Sequence, residues 1–135
     1  MEKVIVKSID KTNNDDKYAL FIGRWQPFHE GHQWLINQKL EKGNRVCIAI
    51  RDVPTDEKNW WTSEEIKTML EERFTEDISK GLIKVIIIPD IESINIGRGV
   101  GYDIIEHVPT EDISKISATN IRNQMEDKSK YGKGL

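Results

Sequence analysis

Ten residues, Gly23-Arg24-Trp25-Gln26-Pro27-Phe28-His29-Glu30-Gly31-His32, constrain the fold of this chain more than any other segment. They follow an apolar run, Tyr18-Ala19-Leu20-Phe21-Ile22, that reads as a buried parallel strand. They precede a segment, Gln33 to Glu41, that reads as a helix. A strand, a loop with glycines and two histidines, and then a helix N-terminus form an anion site. The helix end offers unpaired N–H groups and partial positive charge, and glycine lets a ligand approach the backbone. Two imidazoles three residues apart can also donate hydrogen bonds to a phosphate.

Strands and helices go on alternating downstream. Gly43 and Asn44 stop the first helix, and Arg45-Val46-Cys47-Ile48-Ala49-Ile50 is a second strand. A charged loop broken by Pro54 runs to Asn59. Thr62-Ser63-Glu64-Glu65 is a capping box that opens a helix with Ile66, Met69, Leu70 and Phe74 on its apolar face. Gly81 ends it, and Leu82 to Ile88 is a third strand stopped by Pro89-Asp90. After the glycine-rich loop Gly97-Arg98-Gly99-Val100-Gly101, Tyr102 to His107 is expected to be a short helix, and a last helix starts near Ser117. Alternating strands and helices predict a single-domain α/β fold, a Rossmann-like parallel sheet with helices on both faces. Ligands on such sheets bind at the carboxyl ends of the strands, where the first motif falls. Residues 18–127 are expected to be the domain. Residues 1–17 form an N-terminal extension with a strand-like run, Lys3 to Ile9, and a polar turn or link, Asp10 to Lys17. Residues 128–135 are expected to be a flexible tail.

Composition narrows the function classes. The net charge of −3 has no basic stripe, which argues against nucleic-acid binding, so a polyanionic ligand must be held by local positive charge. The single cysteine, Cys47, lies in an apolar run and reads as a core residue, which excludes an internal disulfide. With no signal peptide and no membrane-length apolar run, a soluble, cytoplasmic protein without a membrane partner is expected.

The first motif, Gly-Arg-x-Gln-Pro-x-His-x-Gly-His, is similar to the first signature of the HxGH nucleotidyltransferase superfamily. In its Arg and Gln form it most resembles the nicotinamide-mononucleotide adenylyltransferases of the archaeal type and related adenylyl- and cytidylyltransferase domains. Ile116-Ser117-Ala118-Thr119-Asn120-Ile121-Arg122 resembles the superfamily's Ile-Ser-x-Thr-x-Ile-Arg. Asn59-Trp60-Trp61-Thr62-Ser63-Glu64-Glu65 is similar to Asn-Pro-aromatic-Thr-x-x-Glu, with Trp60 in place of the proline and Ile66 in place of a common arginine.

The resemblance implies transfer of a nucleotidyl group, AMP before CMP, from a nucleoside triphosphate bound with Mg2+ to a phosphorylated acceptor, with release of pyrophosphate. Nicotinamide mononucleotide is the first acceptor to test. The alternatives are a cytidylyltransferase acting on a phosphorylated alcohol or sugar, and a catalytically silent nucleotide-binding module. His29, His32 and Arg122 are the catalytic candidates, acting as donors to phosphate oxygens as charge grows on them. Gly23, Arg24, Gly31, Ser117, Thr119 and Arg98 are nucleotide-binding candidates. Asn59 and Trp61 are candidates for the acceptor, with Trp61 stacking on its ring. Packing or an oligomer contact is the alternative for Trp61, so a homo-oligomer stays open. Gln26 is expected to shape the loop, and Trp25 and Phe28 to pack. No protein-held metal is expected, because Asp90 has no cluster of carboxylates beside it.

Overall fold

Five consecutive apolar residues, Val46 to Ile50, place their strand at the centre of the sheet. The structure is a computed structural model and describes residues 2–5, 17–99 and 101–125. In it β3 (Arg45–Asp52) pairs in parallel with β2 (Tyr18–Gly23) on one side and β4 (Ile83–Pro89) on the other. In this register Phe21 lies opposite Ile48, and Ile48 opposite Val85. Between them run α1 (Glu30–Leu40), α2 (Ser63–Arg73) and the short α3 (Thr75–Ser79). The parallel sheet flanked by helices is the α/β architecture that the sequence predicts.

Strand periodicity sorts the core. Val46, Ile48 and Ile50 of β3 are wholly buried, and they cluster with Phe21, Ile83 and Val85 from the neighbouring strands. Ile36 of α1 and Ile66 and Leu70 of α2 cover that face, with Phe74 at the end of α2. The other face of β2 is more open than a fully buried strand would be, because β2 is an edge of this ladder and Tyr18 and Leu20 are exposed. Cys47 is buried, which pushes its thiol pKa up. The expected capping box opens α2: Thr62 Oγ1 accepts from the Glu65 N–H, and Glu65 Oε1 accepts from the Thr62 N–H.

Two expectations need correction. Tyr102 to His107 holds no helix: Ile104–His107 is a strand, β5, antiparallel to β1 (Glu2–Ile5) in a separate two-stranded ladder. Adjacent β-branched isoleucines suit a strand, and the deciding backbone partners lie about a hundred residues upstream. The first helix begins at Glu30, not Gln33, so the motif's second histidine is inside it. Past β5 come α4 (Glu111–Ser114) and α5 (Ala118–Gln124). The polar stretch before Lys17, most of the strand-like run to Ile9 and the tail after Met125 lie outside the described residues. Among the described residues, no helix is long and apolar enough to cross a membrane.

Candidate active site

Two nitrogens of each motif histidine do different work. His29 caps α1: its Nδ1 accepts from the N–H groups of Gly31 at 3.0 Å and His32 at 3.3 Å. His32 Nδ1 accepts in return from the His29 N–H at 3.2 Å. Each Nδ1 is therefore the bare, accepting nitrogen, and each neutral ring carries its proton on Nε2. Burial lowers the pKa of His29 to about 4 and of His32 to about 3; for His32 the charge of His29 comes next, and Arg73 adds to both. At neutral pH the pair is uncharged and offers two Nε2–H donors.

The sequence reading expected open amides at this helix end. The structure corrects it, because the Gly31 and His32 N–H groups are already bound by the imidazole of His29. The free donors at this point are ring N–H groups.

The rings are held tightly. His29 and His32 stack with centroids 3.7 Å apart and planes 15° from parallel. Trp25 meets His32 edge-on at 4.8 Å, and Phe28 lies 5.4 Å from it. Trp25 and Phe28 are buried packing residues, as expected. Trp25 adopts a positive φ of 56° and is anchored by its indole N–H donating to Ala49 O of β3 at 3.0 Å. Glycine is needed at two places here. A Cβ on Gly23 would sit 2.9 Å from the Trp25 ring, and one on Gly31 would sit 2.9 Å from Cε1 of His29.

Gln26, 4% exposed, ties this loop to the approach to α2. Its Nε2 donates to Trp61 O at 2.8 Å and its Oε1 accepts from Trp61 N at 3.0 Å. The Gln26 carbonyl accepts a hydrogen bond from Arg122 Nη1 of α5, which joins the first and last motifs. Arg122 is 8% exposed, and its Nη2 lies 3.4 Å from Thr119 Oγ1.

These contacts frame a cleft of about 330 Å³ lined by Arg24, Trp25, Gln26, His32, Lys58, Ala118, Thr119 and Arg122. Three of the lining side chains are basic, Arg24, Lys58 and Arg122, and none is a carboxylate. Burial, and next the like charge of Arg24, lower the pKa of Arg122. Asp56 lies close enough to act as a counter-charge, but its Oδ1 already accepts from the N–H groups of Lys58 and Asn59, which hold its pKa down. Positive charge in excess around a concave polar surface attracts an anion.

The structure brings His32, Arg24, Thr119 and Arg122 onto one cleft, with His29 stacked behind His32. Ser117 caps α5, its Oγ accepting from the Asn120 N–H. Arg98 lies in an exposed turn and does not line the cleft. Asn59 is 5% exposed and donates to Asp56; its Oδ1 is buried without a hydrogen-bond partner, and it does not reach the lining. Trp61 needs correction: at 2% exposure its ring belongs to the hydrophobic core and is closed to a stacking substrate. Asp90, set aside as a metal ligand, pairs with Arg51 at 2.8 Å. Lys58 was not anticipated. Its one sequence signal is its place immediately before the third motif.

A model of the cytidylyltransferase-like family matches residues 20–84, from β2 into β4. A 32-residue segment is 47% identical to a nicotinamide-nucleotide adenylyltransferase of Methanospirillum hungatei JF-1. That segment is 24% of this chain and spans 18% of the relative's length. The first and last motifs fold onto one cationic cleft, and the family model covers the βαβ unit that carries the histidines; together with the short adenylyltransferase match, these findings support a likeness to the nucleotidyltransferase superfamily.

Proposed function

We propose that this chain binds a nucleoside triphosphate in the cleft and transfers its nucleotidyl group to a phosphorylated acceptor, releasing pyrophosphate. The observation that carries this reading is the convergence of Arg24, Lys58 and Arg122 on His32 in a cleft without a carboxylate. An acceptor phosphate oxygen attacks the α-phosphorus, its new P–O bond forming as the bond to the β-phosphate oxygen breaks and pyrophosphate leaves. Charge builds on the non-bridging and leaving oxygens, where fixed donors contribute most. In this reading His32 and His29 donate through Nε2–H to the α-phosphate, and the three cations hold the β- and γ-phosphates.

The side chains do not fit a resident magnesium ion. No carboxylate lines the cleft, Asp90 is paired with Arg51, and among the described residues no group of three or more His, Cys, Asp or Glu could hold a metal. Magnesium enters with the triphosphate, as part of the substrate. ATP as donor and nicotinamide mononucleotide as acceptor rest on the Arg-x-Gln-Pro form of the first motif and on the name of the short archaeal match.

Pyrophosphate release from ATP and CTP across a panel of phosphorylated acceptors tests the reading, with His32→Ala beside the parent chain. Loss of one transition-state donor lowers turnover by about 10²–10³ while triphosphate affinity stays within several-fold. Normal turnover in His32→Ala would remove the histidine from the chemistry. Triphosphate binding with no release from any acceptor would support the silent binding module instead.

A further inference from the structure

Arg73, the last residue of α2, reaches away from its own helix. Its Nη2 lies 2.8 Å from Glu30 Oε1, and its Nε donates to Gln33 Oε1 at 2.9 Å. Its guanidinium lies 4.9 Å from the centroid of Phe28 and 6.0 Å from that of Phe74. Glu30 and Gln33 sit three residues apart in the first turn of α1, on either side of His32 in sequence, and Phe28 is the ring packed against His32. One planar group therefore grips the turn that carries the histidines by two acceptors and a ring face. A half-exposed ion pair alone adds little to stability. A forked cation held at three points is suited instead to fixing direction. Arg73 does not line the cleft.

We propose that Arg73 is a positioning residue for the histidine pair: from outside the cleft it fixes the first turn of α1 and so the direction in which both Nε2–H groups point. This rests on the reading of the cleft as a phosphate site. The same charge also disfavours a proton on either ring, after burial and the opposing Glu30 at His29, and after burial and the charge of His29 at His32. The other groups around the pair are Glu30, which opposes Arg73 at His29, and Arg24, Lys58 and Arg122, which share the cleft with His32. Glu111, Asp112 and Lys115 of α4, which packs on α1, are all exposed.

The test needs no turnover. Imidazole resonances of the apo protein are followed from neutral to acid pH in the parent chain, in Arg73→Met, which loses charge and fork, and in Arg73→Lys, which loses only the fork. Thermal melts confirm that each variant is folded. In Arg73→Met both imidazole midpoints should rise by about half a unit or more, as expected when a nearby like charge is removed. Arg73→Lys should restore the midpoints but not the Nε2–H resonance positions. Turnover in Arg73→Met should fall roughly ten- to a hundred-fold with the triphosphate KM little changed, as misplacement of a donor predicts. Midpoints and resonances matching the parent in folded Arg73→Met would overturn the proposal. Should that variant fail to fold, Gln33→Leu frees one arm and keeps the charge: displaced Nε2–H resonances support the proposal and unchanged ones overturn it. If the parent chain releases no pyrophosphate, the functional reading fails while the spectra still decide the role of Arg73.

Discussion

Replacing Gln26 with alanine should do more damage than its place in a loop suggests. Its side chain is 4% exposed and makes a two-way clamp on the Trp61 backbone, donating at 2.8 Å and accepting at 3.0 Å. Gln26→Ala deprives a buried N–H and a buried C=O of these partners at once. Each such loss costs about 1–3 kcal/mol, so the pair amounts to about 2–6 kcal/mol before any cavity is counted. Partial relaxation toward water brings the expected loss to about 2–4 kcal/mol, a large share of the roughly 5–15 kcal/mol that holds a domain together. With a urea m-value of about 1–3 kcal/mol/M, the unfolding midpoint should fall by about 0.7–4 M. Gln26→Glu keeps an acceptor for the Trp61 N–H and loses only the donor, so it separates the two arms. A midpoint for Gln26→Ala within about 0.3 M of the parent at equal m would correspond to less than about 1 kcal/mol and refute the argument.

Acid should weaken the fold through the histidines. His29 and His32 titrate in the folded state near 4 and 3, against an ordinary 6.5, so the unfolded chain takes up protons that the folded one refuses. Their full contribution is present above pH 6.5 and is lost as pH falls toward the lowered values; for His32 alone the loss at pH 5 is about 2 kcal/mol. Urea midpoints that are equal at pH 7 and pH 5 would contradict a buried neutral pair. Trp61→Ala should cost about 3–5 kcal/mol as a core truncation and leave the acceptor KM of the surviving folded protein unchanged. A raised acceptor KM at undiminished stability would reinstate stacking. Arg122→Lys should weaken binding of a non-hydrolysable triphosphate by about tenfold, because one ammonium cannot serve the Gln26 carbonyl, Thr119 and a phosphate together. Equal affinities by calorimetry would leave Arg122 a purely structural tie.

Local rules were readable in the sequence because their partners lie close along the chain. The Thr62–Glu65 capping box spans one helical turn, and the apolar run Val46–Ile50 needs no distant partner to announce a central strand. The expected helix at Tyr102–His107 failed because the backbone groups that make Ile104–His107 a strand belong to Glu2–Ile5. Trp61 was misread for a similar reason. Nothing beside it shows that Gln26, thirty-five residues earlier, draws its backbone inward and seals its ring in the core. The place of Lys58 on the cleft and the reach of Arg73 depend on a turn held by Asp56 and on the approach of α2 to α1, which neighbouring residues announce weakly or not at all.

The reciprocal capping of α1 binds two fates to one side chain. Because the Nδ1 of His29 closes the helix while its Nε2 is the donor in the proposed transfer, any replacement at this position edits a folding signal and a proposed chemical group together. Asparagine can stand in as a helix cap but presents no ring N–H at the same reach. Alanine removes both, so loss of activity in that variant says nothing about chemistry by itself. A mutational survey that scored position 29 by activity alone would merge a shortened helix with a missing donor. Comparing asparagine and alanine at this position, with helix content measured beside turnover, separates the two.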